Sequence, residues 1–101
     1  MDDMVTYKSY VGDIGTRIRS FLNTNISGAT SIEYRIKKPN GNEVTWPCDI
    51  ETITGGVVYH DIVSGEFDVS GRYEVQTLVE FTNGDRFLSD TRGFIVYGEY
   101  D

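Results

Sequence analysis

His60 and Cys48 are the chain's one imidazole and one thiol, so nucleophilic chemistry of the Cys–His kind would have to run through this pair. Such a nucleophile needs an adjacent base and a turn that presents it. Neither residue sits in a glycine-flanked turn of that kind. Cys48, with Trp46, Pro47 and Ile50 about it, reads as a buried, inert thiol, and His60 as a surface or rim imidazole. Structural zinc needs several Cys or His ligands, which this chain cannot supply. Calcium would need clustered oxygen ligands, and the candidate groups Asp2, Asp3, Asp13 and Asp61, Glu66, Asp68 match no known loop spacing. The 16 acidic residues offer many carboxylate pairs but no cleft signature for glycoside hydrolysis. No glycine-rich loop precedes a helix in the way a phosphate cradle requires. The expectation is a protein with no catalytic residue, no metal and no cofactor.

Recognition is the remaining chemistry. Seven tyrosines exceed what a core of this size needs, and Tyr is favoured at interfaces because it buries a large area at low rotamer cost. Tyr7, Tyr10, Tyr97 and Tyr100 lie near the two termini and form the candidate docking patch. A formal charge of −7 repels phosphate backbones and anionic lipid, so neither nucleic acid nor a membrane is expected as a partner. One cysteine cannot close an internal disulfide. Met1-Asp2-Asp3-Met4 has no apolar run behind it, so no secretory signal or membrane span is read there and synthesis in cytoplasm is expected. The match of Asn25-Ile26-Ser27 to a glycosylation sequon is then coincidental.

The elements that must position these residues are strands. Apolar alternation recurs about every ten residues with turn residues between, the spacing of an all-β sandwich or barrel. The cleanest run puts Ile32, Tyr34 and Ile36 on one face and Glu33, Arg35 and Lys37 on the other. Pro39-Asn40-Gly41-Asn42 and Thr82-Asn83-Gly84-Asp85 are hairpin signals. Trp46 is placed as a core anchor, and Pro47 after it implies an edge or a bulge. Val5–Val11, Thr16–Leu22, Val57–Ile62, Tyr73–Phe81 and Arg86–Tyr97 complete a set of about seven strands, with Gly93 expected to kink the last.

Asp68-Val69-Ser70-Gly71-Arg72-Tyr73 carries an acidic residue and a glycine two before a tyrosine that opens a strand. That is the pattern of the tyrosine corner, in which the phenol ties back to upstream backbone. Trp46, Asp68, Gly71 and Tyr73 are therefore the expected fold-determining residues, and residues 1–101 are expected to form a single immunoglobulin-like Greek-key β-sandwich.

With the strands placed, Val11-Gly12-Asp13-Ile14-Gly15, the Ser27-Gly28-Ala29-Thr30 loop, Lys38-Pro39-Asn40-Gly41, Trp46, the Asp68–Tyr73 corner and Phe81-Thr82-Asn83-Gly84 with Ser89-Asp90-Thr91 form a series. In this the chain resembles the immunoglobulin-like domain of tailed-bacteriophage virion proteins, found at the start of baseplate upper proteins and in related small tail or head-attached proteins. The resemblance implies a non-enzymatic structural protein of the virion, made in host cytoplasm, docked on a tail, baseplate, neck or capsid surface. Its implied partners are other virion proteins and further copies of itself in a homo-oligomer. The alternative is a carbohydrate- or host-surface-binding module in which Trp46 and loop tyrosines stack on sugar rings.

Overall fold

The computed structural model describes residues 8–98 and the backbone of residues 3–5. The described elements are all strands: β1 (Asp3–Val5), β2 (Ser9–Tyr10), β3 (Arg17–Phe21), β4 (Ala29–Lys37), β5 (Glu43–Pro47), β6 (Asp49–Thr52), β7 (Val57–Asp61), β8 (Gly71–Phe81), β9 (Arg86–Leu88) and β10 (Arg92–Tyr97). One sheet has the order β1-β3-β7-β6 and the other β2-β10-β8-β4-β5, with β9 also on β8. Every pairing is antiparallel except that of β2 with β10, which is parallel. This is the strand arrangement of an immunoglobulin-like sandwich.

Alternation builds the core. Ile32, Tyr34 and Ile36 of β4 are buried, while Arg35 and Lys37 between them are exposed. Ile18 and Ser20 of β3 and Val58 and His60 of β7 form the facing layer. A polar link crosses between the sheets here: the Tyr34 hydroxyl donates to the Ile18 carbonyl at 3.2 Å and meets the Ser20 hydroxyl at 2.9 Å. A buried phenol without partners would cost about 1–3 kcal/mol, so Ser20 is as much part of this core as the aliphatics around it. Both hairpin signals are hairpins, with Gly41 at φ 88° and Gly84 at φ 91° supplying the left-handed positions.

Among the described residues there are ten strands where about seven were expected, for three reasons. The first predicted strand contributes β1 to one sheet and β2 to the other. The last is divided at Ser89–Thr91, because Ser89 takes the Thr77 N–H on its side-chain oxygen at 2.9 Å in place of a ladder carbonyl. β6 has no predicted counterpart: all four of its residues are exposed, so no apolar stripe marks it. Pro47 ends β5 on the β4 edge, and two residues later the chain is paired with β7 in the opposite sheet. Gly93 does not kink the last strand, since β10 runs through it in unbroken register with β8. The Arg72 guanidinium occupies the space a Cβ would need there, 2.3 Å from its ideal position.

Candidate functional site

The residues expected to determine the fold converge on one end of the sandwich. The Tyr73 hydroxyl donates to the Val69 carbonyl at 2.7 Å, closing the corner. Asp68 accepts from Lys38 Nζ at 2.7 Å. Gly71, at φ 129°, lies against Pro39, whose ring carbons would stand 2.8 and 2.9 Å from an added Cβ. Lys38-Pro39 and Asp68–Tyr73 are thus two halves of one clasp between the β4–β5 turn and the start of β8. Trp46 is 3% exposed and packs among Phe67, Tyr73 and His60 at centroid distances of 5.9, 6.5 and 5.3 Å. Buried in this way, the Trp46 ring offers no platform for a sugar.

Of the four candidate interface tyrosines, Tyr7 and Tyr100 lie outside the described residues. The parallel register Ser9↔Val96, Tyr10↔Tyr97 sets the other two side by side. Ser9 and Val96 point inward and are buried, so Tyr10 and Tyr97 share the outer face, where both are partly exposed. Their rings are 6.0 Å apart, and the Lys8 ammonium stands 4.5 Å from the Tyr97 centroid and 5.3 Å from that of Tyr10. Ile95, also outward and 42% exposed, continues the patch along β10, with Arg72 opposite it on β8. A turn fixes Tyr10: its N–H donates to Asp13 Oδ2 at 3.0 Å, and the Val11 N–H donates to the Tyr97 carbonyl at 2.9 Å. Lys8, Ile95 and Arg72 were not among the sequence candidates: Lys8 shares a face with Tyr10 and Ile95 with Tyr97, but the pairings of β2 and β8 with β10 are what join them and Arg72 into one patch.

His60 departs from its expected place on the rim. It is 7% exposed, stacked on Trp46, with Nδ1 2.7 Å from the Pro47 carbonyl and Nε2 2.8 Å from Glu66 Oε1. Both ring nitrogens are engaged, so His60 is not placed to act as a base for Cys48. Burial, with the nearby charges of Asp49 and Glu33, pushes the Cys48 thiol far up, so it stays protonated.

The described calcium candidates are each committed elsewhere. Asp13 caps the Tyr10 turn, Glu66 holds His60 and the Val63 N–H, and Asp68 holds Lys38. Asp61 takes Arg17 at 2.7 and 3.0 Å, and this hydrogen-bonded guanidinium holds its carboxyl below the usual range. Among the described residues, no group of three or more His, Cys, Asp or Glu could hold a metal ion.

Two further surfaces were not legible in the sequence. On the outer face of the small sheet Arg17 covers the Tyr59 ring at 3.9 Å and Arg19 pairs with Glu51, so that face is closed by its own cations. On the outer face of the large sheet, an open groove of about 390 Å³ runs between β4 and β5, lined by Arg35, Lys37, Glu43 and Thr45. Its two cations and its carboxylate leave it without a strong charge preference, and no aromatic ring lines it.

No family model matches the chain, and no curated protein matches it. Among solved structures it is similar to CopC from Methylosinus trichosporium OB3b, with a TM-score of 0.62 at 13% identity over 100% of this chain and 98% of that one. At that identity the likeness shows the fold alone. The resemblance to tailed-phage virion proteins is overturned by these findings, and with it the virion location and the baseplate and tail assignments. The physical reason lies in the clasp. The residues that carried the resemblance, Lys38, Pro39, Asp68, Gly71 and Tyr73, hold turns and corners together, and a Greek-key sandwich of any origin selects them.

Proposed function

We propose that the domain is a non-enzymatic protein-docking module whose contact surface is the Tyr10–Tyr97–Ile95 patch on the β2–β10 edge of the large sheet. The observation that carries this reading is the parallel β2–β10 pairing, which puts two partly exposed tyrosines 6.0 Å apart beneath one ammonium group. Aromatic anchors with cations at their rim are the composition of interface hot spots. Lys8 and Arg72 make this a cationic spot on a chain of net charge −7, which favours a partner presenting carboxylates and apolar side chains together. The same net charge supports a partner other than nucleic acid or anionic lipid. A second copy of the chain is a less favourable partner, because two bodies of this charge repel.

A photo-crosslinking residue at Ile95, with a control at Glu51 on the opposite sheet, tests the assignment in cells that express the protein. One protein adduct is expected from position 95 and none of the same mass from position 51. Combining the crosslinker with Tyr10→Ser and Tyr97→Ser should remove the adduct while the melting temperature stays within a few degrees. Equal crosslinking from both faces, or an adduct indifferent to the tyrosines, overturns the placement.

A further inference from the structure

We infer that His60 and Glu66 hold a shared proton at neutral pH, and that this proton latches the segment between β7 and β8 to the end of β5. The argument is one of donors and acceptors. The Pro47 carbonyl can only accept, so Nδ1, 2.7 Å away, carries a hydrogen. A neutral imidazole protonated at Nδ1 has a lone pair at Nε2, and an ionised carboxylate has only lone pairs. Those two lone pairs would then face each other at 2.8 Å. One more proton removes the conflict.

The surroundings assign that proton to the ring. Glu66 Oε1 also accepts the Val63 N–H at 2.8 Å, a bond that favours the ionised carboxylate. The ring lies over Trp46 at 5.3 Å with an interplanar angle of 21°, and an indole face favours a cation. Other titratable groups on the elements packed around it are otherwise disposed. Asp61, next along β7, is taken by Arg17 of β3; Cys48, after β5, stays a neutral thiol; Tyr73 of β8 is tied to Val69; and Asp49 of β6 is exposed. His60's own cross-strand neighbour on β3 is Ile18.

Residues 62–67 also support the turn beside Tyr10: the Gly15 N–H donates to the Ile62 carbonyl at 2.7 Å and the Gly12 N–H to the Phe67 carbonyl at 3.0 Å. Loss of the proton at high pH would set the Glu66 carboxylate against the Nε2 lone pair and loosen this segment. The inference stands on the His60 geometry and does not depend on the docking reading.

The chain has one histidine and one tryptophan, so both report without assignment ambiguity. Nitrogen-15 NMR of the ring in the full chain at pH 7 should show both nitrogens protonated. In Glu66→Gln the carboxylate charge that holds the second proton is gone, and an amide turned to donate to Nε2 satisfies a neutral ring at the cost of the Val63 N–H bond, which the same oxygen accepts in the wild type. That variant should show an unprotonated Nε2 at the same pH with the amide spectrum otherwise retained. Trp46 emission, quenched by a stacked imidazolium, should brighten as pH rises, and should do so at higher pH in the wild type than in the variant. A wild-type ring that is neutral at pH 7 beside an ionised Glu66, read from the carboxyl carbon shift, overturns the inference. So does an emission midpoint that Glu66→Gln leaves unmoved. Should the variant fail to fold, the wild-type ring and carboxyl signals decide the question alone.

Discussion

Lys38 Nζ lies 2.7 Å from Asp68 Oδ1 across the clasp, with the lysine side chain 8% exposed and the aspartate 49%. The asymmetry matters more than the distance. Lys38 has given up most of its water and relies on the carboxylate, whereas Asp68 keeps half of its hydration. Asp68→Asn therefore leaves a desolvated ammonium facing a neutral amide, while Lys38→Met leaves a carboxylate that water can reach. We expect the first to cost about 1 kcal/mol and the second less, after discounting for the exposure of the aspartate. Urea unfolding of both variants checks the order.

The same pair sets a pH dependence. The hydrogen bond from Lys38, with its charge, lowers the Asp68 carboxyl below its ordinary value. A group depressed in the folded state stabilises at pH values above its unfolded value, and that contribution is lost as pH falls through the folded one. The stability difference between wild type and Asp68→Asn should thus be full at pH 7, shrink below about pH 4 and vanish in stronger acid. A difference that persists unchanged in acid would show that the carboxylate charge is not its source.

Gly71 is required on two independent counts, its φ of 129° and the Pro39 ring 2.8 Å from where a Cβ would stand. Gly71→Ala should cost about 2–3 kcal/mol, the sum of backbone strain and a clash with a ring that cannot rotate away. Gly84 offers the control: its φ is 91° and nothing lies within 4 Å of an added Cβ, so Gly84→Ala should carry the strain alone. Thermal unfolding of the two variants separates the contributions.

Tyr73→Phe removes the corner bond and leaves the ring packed on Phe67 and Phe94 at 5.7 and 5.4 Å. The loss should be about 1–2 kcal/mol, the worth of a hydrogen bond whose partner is left half-buried. The urea midpoint should fall with the slope unchanged, because the surface exposed on unfolding stays the same.

What the sequence disclosed follows from how local each signal is. Ile32, Tyr34 and Ile36 declare their face by alternation alone, and Gly41, Gly84 and the Gly71–Tyr73 corner by backbone chemistry within a few residues. β6 was hidden because its four residues are all exposed and its pairing with β7 is non-local. His60 was misplaced for the same reason: what makes its burial tolerable is a carbonyl in β5 and a carboxylate in the β7–β8 segment. The candidate patch was half legible, since tyrosines near both termini can be counted, but Tyr10 with Lys8, Tyr97 with Ile95, and Arg72 come together only through strand pairing. Turn and corner motifs therefore located the fold and misidentified the family.

Cys48 gives a prediction that separates burial from charge. Desolvation is the largest cause of its raised thiol, with Asp49 and then Glu33 adding to it. Since the thiolate is the nucleophile, iodoacetamide at pH 8 should modify the native protein at least about a hundredfold more slowly than the urea-unfolded chain. Glu33→Gln and Asp49→Asn remove the charges but leave the burial, so each should raise the native rate by only a few-fold. A mutation that opens the core should do more: Trp46→Ala leaves a cavity and costs about 3–5 kcal/mol, bringing the labelling rate towards that of the unfolded chain. If the charge variants instead accelerated modification as much as Trp46→Ala, the nearby carboxylates and not the core would be what keeps this thiol inert.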